Sequence, residues 1–287
     1  MKRRLLTLSI AIAAAAALAV PAAGDGPGAN PGVGVLSAGV LAPNGKTSYV
    51  AIPDGSRTVV AQILVRNGAV LRSLSLDGLF GVPYVAGDGT VGGLSFNGRV
   101  LVLAAYSGPG PAQVGRSSRF AVVDIKRWRP GKTLRLRGDL TFDALSPKGR
   151  MLYLIEHTSR QDYNRYRVRA YDLAYGRMLR RTIVDRRAPS EQMAGAPVTR
   201  ATSSGGAWVY TLYVKPNGTG FVHALDTLHR EAVCIDLPWP DMGAWIYDAR
   251  MWVAPDGRVL HLRQLGVNGR RASIDTRSWK TEVSSLV

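Results

Sequence analysis

The sequence predicts an all-β chain: a β-propeller of about five four-stranded antiparallel blades, preceded by a signal peptide. Three observations lead there. Turn glycines at Gly45, Gly98, Gly149, Gly206 and Gly257 recur at spacings of 53, 51, 57 and 51 residues. Each is followed by an apolar or aromatic strand segment: TSYVAI, VLVLAAY, MLYLIEH, WVYTLYV and VLHLRQL. A second landmark follows at a strand end, Asp124, Asp172, Asp226 and Asp275, spaced by 48, 54 and 49 residues. Two tight turns in every fifty or so residues divide the chain into runs of four short strands, and such a run is one blade. The clearest copy lies between Ala144 and Val184.

Residues 1–22 read as a signal peptide. Lys2-Arg3-Arg4 form the charged start, Leu5 to Val20 the apolar core, and Val20-Pro21-Ala22 a small-residue cleavage site. The apolar run is shorter than the roughly twenty residues of a membrane-spanning helix. Residues 23–32, AGDGPGANPG, read as a flexible linker. Residues 33–287 then form one propeller domain, with units at 33–78, 88–138, 140–187, 195–240 and 246–287. The first turns are hairpin turns because their glycines accept positive φ. The strand-end aspartates are turn formers, accepting backbone N–H groups of the residues that follow. The first unit lacks one, and blade one is expected to meet blade five to close the ring.

The pattern Ser-Pro-x-Gly-Arg-x-x-Tyr, then a strand ending in Tyr-Asp or Ile-Asp, then a Lys/Arg-rich strand, resembles the YVTN/lactonase-like propeller repeats. Residues 146–184 match best and 254–283 next. The stretches 193–213, 221–227 and 232–239 are also similar to a group of secreted actinobacterial propeller proteins. Neither resemblance implies a defined activity. The lactonases of the wider group have seven blades, and five units count against that chemistry here.

Composition narrows the function. The formal net charge is +17, and removing Lys2, Arg3 and Arg4 leaves +14. Such a surface favours polyanions, whether nucleic acid, anionic lipid or acidic wall polymers. No dense Lys/Arg run marks a nucleic-acid-binding tail. Cys234 is the sole cysteine, so the fold holds no internal disulfide. His157, His223, His229 and His261 have no metal-ligand spacing. Asp162 and Asn164 offer oxygens without an EF-hand pattern. No metal and no cofactor are expected. The expected partner is a protein, a carbohydrate or an acidic cell-wall ligand, not nucleic acid, met by a monomer outside the cytoplasmic membrane.

Loop lengths single out one face of the disc. The second-to-third loops at 107–118 and 158–165, and the connections at 75–89 and 184–198, are long, and all emerge on the same face. Long loops on a rigid scaffold are where binding sites sit. Counting six residues back from each turn glycine gives the channel positions Gly39, Gly92, Asp143, Arg200 and Met251, with the two glycines leaving room. Asp143, Glu156, His157 and Arg200, with Asp185 and Arg186 above them, are the candidate ligand-binding cluster. The alternative is a carboxylate-dependent hydrolase or lyase at the channel mouth, using Asp143, Glu156 and His157 for acid–base work. Trp208, Tyr210 and Tyr213 read as inter-blade core on one face of a strand. His223 reads as a half-buried strand residue. Trp239 and Trp245 read as plugs between blades four and five.

Overall fold

The computed structural model describes residues 39–106, 117–159, 161–188, 193–242, 248–265 and 269–284. The signal peptide, the linker, most of the 107–118 loop and Trp245 lie outside the described residues. Five four-stranded sheets follow one another along the chain, each built from consecutive antiparallel strands. Blade one holds β1 (Val40–Leu41), β2 (Thr47–Asp54), β3 (Arg57–Leu64) and β4 (Val70–Asp77). Blade two holds β5 (Phe80–Gly81), β6 (Val100–Ala105), β7 (Ser117–Asp124) and β8 (Arg129–Arg137). Blade three holds β9 (Asp139–Leu145), β10 (Met151–His157), β11 (Tyr166–Asp172) and β12 (Arg177–Met178). Blade four holds β13 (Ala196–Thr202), β14 (Trp208–Val214), β15 (Gly220–Asp226) and β16 (Glu231–Asp236). Blade five holds β17 (Ala249–Val253), β18 (Val259–Gln264), β19 (Arg271–Asp275) and β20 (Thr281–Ser284).

A blade is apolar on both faces, so it is stable only between neighbours. Four hydrophobic clusters meet that need, joining blades one to two, two to three, three to four and four to five. Among the described residues no such cluster joins blade five to blade one. The outward faces there stay exposed: Leu41 and Ile52 on blade one at 56% and 40%, Trp252 on blade five at 45%. The expected simple meeting of the end blades is therefore not made by apolar packing. Strand parity also corrects one reading of the aromatics. Trp208 and Tyr210 face blade five, but Tyr213, an odd number of residues on, lies in the cluster facing blade three. Trp239 packs against the blade four–five cluster, as expected.

The third-to-fourth turns of blades two to five are capped by aspartates. Asp172 Oδ1 accepts the N–H groups of Ala174 and Tyr175 at 2.9 and 3.0 Å, and Asp226 Oδ1 those of Leu228 and His229. Asp124 and Asp275 do the same in blades two and five. The last residue of each turn takes left-handed φ: Gly68 (70°), Trp128 (51°), Gly176 (67°), Arg230 (64°) and Trp279 (61°). That conformation costs an L side chain about 1 kcal/mol. The two tryptophans offset it by stapling neighbouring blades. Trp128 donates its indole N–H to Ser73 O on β4 at 3.1 Å, and Trp279 packs on Trp208 of blade four at 5.2 Å.

Blade two departs from the expected outline. The connection from blade one is short: Thr58 Oγ1 clamps it by donating to Gly78 O and accepting from Phe80 N–H. Phe80 and Gly81 then pair with Ala105 and Ala104, and Leu94 bridges to Leu101. Residues 82–93 are therefore an excursion within the first strand of blade two, not an inter-blade loop. Gly87 and Asp88 donate their N–H groups to Pro197 O and Val198 O of blade four, both at 3.0 Å. Val82, Val85 and Ala86 of the excursion are buried, Val82 in the blade one–two cluster and Val85 in the blade two–three cluster.

Because Arg230 takes the same backbone strain as Trp279 with an exposed side chain, the two should respond oppositely to glycine. In chemical denaturation, Arg230→Gly is expected to stabilise by roughly 0.5–1 kcal/mol. Trp279→Gly should destabilise by about 1–3 kcal/mol through lost packing.

Candidate functional site

The inner strands of blades three and four each contain a register shift, at Phe142/Ala144 in β9 and at Pro197/Thr199 in β13. A bulge re-aims a side chain, and in β9 the extra residue is Asp143. Its side chain is 3% exposed and that of Arg200 8%. The Arg200 guanidinium donates to Asp143 Oδ1 and to the Asp143 carbonyl, and its Nε donates to Thr211 Oγ1 at 2.9 Å. Asp143 Oδ2 has no hydrogen-bond partner among the described residues.

The ion pair begins a polar file across the face of blade four that looks at blade three. Strand register sets Arg200 beside Thr211, Thr211 beside His223 and His223 beside Cys234. His223 is fully buried at 1% exposure, not half-buried as expected. Burial pushes its pKa down to about 4, so the ring is neutral. Its Nδ1 lies 3.6 Å from Cys234 Sγ. The pairing was readable in principle, since a four-residue turn between β15 and β16 sets residue 223 opposite 234. The file ends at the rim, where Asp185 Oδ2 accepts the Cys234 N–H at 2.7 Å.

Two cavities open along this junction. The inner one, about 30 Å³, is lined by Asp143, His157, Tyr163, Tyr166, Arg200 and Tyr213. That is room for one or two waters. The outer one, about 330 Å³, is lined by Asp185, Arg187, Met193, Lys215, Phe221 and Asp236, with Cys234 on its wall. Its charges come in pairs. Arg187 donates to Asp185 at 2.9 Å, and Lys215 to Asp236 at 3.0 Å while lying 5.2 Å above the Phe221 ring. Burial acts to raise the Asp185 pKa, but the hydrogen bonds from Arg187 and Cys234 N–H outweigh it and hold the carboxyl below its usual range.

The six predicted residues therefore divide. Asp143, His157 and Arg200 line the inner cavity, and Asp185 the outer one. Glu156 and Arg186 line neither. Glu156 precedes His157 on β10 and so points to the opposite face, toward blade two. There it is held by Arg167 at 2.8 Å and Arg169 at 2.7 Å, whose hydrogen bonds outweigh burial and lower its pKa. Arg186 turns outward to Glu231 at 3.1 Å. His157 stacks on Tyr163 at 3.9 Å, and its Nδ1–H donates to Tyr163 O at 3.0 Å. Burial lowers its pKa against the opposing pull of Asp139, its partner across the strands. The Asp143–Glu156–His157 acid–base group does not assemble.

The channel glycines do not leave room either. A side chain at Gly92 would meet the Phe142 ring at 2.7 Å, and one at Gly39 would meet Ser48 Oγ at the same distance. The calcium reading also finds its oxygens engaged, since Asp162 accepts Asn164 N–H and pairs with Arg165.

Solved structures with this fold are similar at low identity. Hydrazine synthase of Kuenenia stuttgartiensis superposes with a TM-score of 0.51 at 16% identity, over 92% of this chain and 68% of that one. A functionally unknown protein from Desulfotomaculum acetoxidans gives 0.51 at 10% identity, over 86% and 68%. The Cps50 (Swd1) β-propeller domain of Myceliophteria thermophila gives 0.50 at 10%, over 91% and 73%. No protein-family model and no curated protein matches the sequence. The fold defines a five-bladed β-propeller whose polar interior is concentrated at the blade three–four junction.

His223 makes that junction pH-sensitive. Its folded pKa near 4 lies below the ordinary value of 6.5, so the unfolded chain takes up the proton first. Stability is complete above about pH 6.5 and falls as the pH drops to 4, by roughly 3 kcal/mol from this residue. In denaturation at a series of pH values, His223→Gln should flatten the curve in that window relative to the wild type.

Proposed function

We propose that the chain is an extracytoplasmic binding propeller of the YVTN-like kind, and that it takes a small polyhydroxylated ligand, a carbohydrate, at the outer cavity of the blade three–four junction. The single observation that carries the reading is the composition of that 330 Å³ space. It has the volume of a small-ligand pocket. Its charges are balanced in two ion pairs, and Phe221 is among its lining residues. Paired donors and acceptors suit the hydroxyl groups of a sugar, and they offer no net charge to a polyanion. The cavity lies toward the long-loop face, since Lys215 follows β14, Phe221 is the second residue of β15 and Asp236 ends β16. The hydrolase or lyase alternative draws no support from the channel mouth, where Asp143 is bound to Arg200 and Glu156 to two arginines.

The test is a titration followed by amide NMR, with cellobiose as the neutral probe and digalacturonate as the acidic one. The expected result is saturable shifts at Lys215, Phe221 and Cys234 with cellobiose. Lys215→Ala should weaken binding about tenfold, the loss of a charged hydrogen bond. Absence of saturable shifts with either sugar would overturn the reading, as would selective binding of the acidic one.

A further inference from the structure

The face opposite the long loops carries a feature that ligand binding does not use. First-to-second and third-to-fourth turns all emerge there, because strands alternate in direction. Four third-to-fourth turns contain an exposed cation, Arg66, the Lys126–Arg127 pair, Arg230 and Arg277, and in blade three the exposed Arg177 directly follows the turn. First-to-second turns add Lys46, Arg99, Lys148 and Arg258. The turn aspartates balance part of this charge, Asp124 pairing with Arg127 at 3.0 Å and Asp172 with Arg150 at 3.4 Å. They point inward onto backbone N–H groups, and Asp172 and Asp226 are buried. These ten cations outnumber the aspartates of the same turns, Asp124, Asp172, Asp226, Asp256 and Asp275, and leave the face basic.

The same turns expose apolar side chains. Val65 is 53% exposed, Tyr175 69% and Leu228 54%, one in each of three third-to-fourth turns. Phe96, 48% exposed, projects from the first turn of blade two, where it lies against Gly206 of the blade-four turn. Hairpin turns prefer polar residues, and nothing in the turn geometry asks for these four. Arg150 and Arg177 flank the Tyr175 ring at 5.3 and 5.6 Å, keeping cation and aromatic surface together.

We infer that this turn face docks on an anionic lipid surface, with the cations at headgroup phosphates and the four apolar tips in the interfacial layer. Basic residues supply attraction to anionic lipid, and inserted apolar groups supply the part that salt does not screen. A soluble acidic polymer would be met by the charges alone and leaves the apolar tips unexplained. The five turn ends lie at one end of five side-by-side sheets, which suits a surface more than a cleft ligand. The contact is peripheral: no helix among the described residues is long and apolar enough to cross a membrane.

Co-sedimentation of the folded chain with phosphatidylcholine vesicles, with and without phosphatidylglycerol, tests this. Binding is expected only with phosphatidylglycerol, and it should fall with salt without vanishing. The triple variant Arg66→Gln, Arg177→Gln, Arg277→Gln should lose about a hundredfold in partition coefficient. The triple variant Phe96→Ser, Tyr175→Ser, Leu228→Ser should lose about tenfold or more. Thermal unfolding confirms that both variants are folded, and wild-type salt dependence is read independently of either. No binding to phosphatidylglycerol vesicles overturns the inference. So does retention on soluble poly-glutamate together with vesicle binding that is indifferent to the serine substitutions, since that is a polymer site. Sugar binding at the opposite face is read separately and survives either outcome.

Discussion

Asp143 and Arg200 meet inside the protein, between two blades and away from water. A buried carboxylate is costly unless it is paired and hydrogen-bonded, and here one guanidinium does both, reaching the side chain and the main-chain carbonyl of the same residue. The bulge in β9 turns Asp143 inward, and the register of β13 on β14 puts Arg200 beside Thr211. Once this pair is in place, the rest of the polar file has a defined position. Thr211, His223 and Cys234 follow across the sheet, and Asp185 anchors the connecting segment at the rim. Blade three is thereby fixed to blade four by apolar packing, by this ion pair and by the Tyr153 hydroxyl, which donates to Thr227 O at 2.7 Å.

That junction separates the two surfaces of the disc. Toward the long loops, the excursion 82–93 of blade two reaches blade four at Pro197 and Val198, and its Val85 lines the inner cavity with Asp143, His157 and Arg200. The usable space lies outward, at the rim. Toward the tight turns, the constraint is different. Each turn aspartate caps its own turn, and the turn cations, which outnumber the aspartates, face solvent.

The fold was legible because its landmarks are local. A turn glycine and a turn aspartate each act within a few residues, and their spacing alone counts five blades. What failed were inferences about direction and about neighbours distant in sequence. Glu156 and His157 are adjacent in sequence and therefore opposed across a strand. Tyr213 was grouped with Trp208 and Tyr210 despite its odd spacing. Six residues counted back from a turn glycine located Asp143 and Arg200 correctly enough to find their contact. The same count missed that Phe142 and Ser48 occupy the space beside Gly92 and Gly39. The excursion of blade two looked like a linker because Phe80 and Gly81 are too short a run to read as a strand. His223 and Cys234 were legible from hairpin arithmetic, but only once β15 and β16 were paired.

The central claim is that the Asp143–Arg200 pair holds blades three and four in register, and a double-mutant cycle tests it most directly. Asp143→Leu and Arg200→Met are each expected to cost about 3–5 kcal/mol, because each leaves a buried charge without its partner. The double variant, with two apolar side chains in the same space, should recover most of that loss and show a coupling of about 3 kcal/mol or more. Additive effects, agreeing within about 0.5 kcal/mol, would contradict the account.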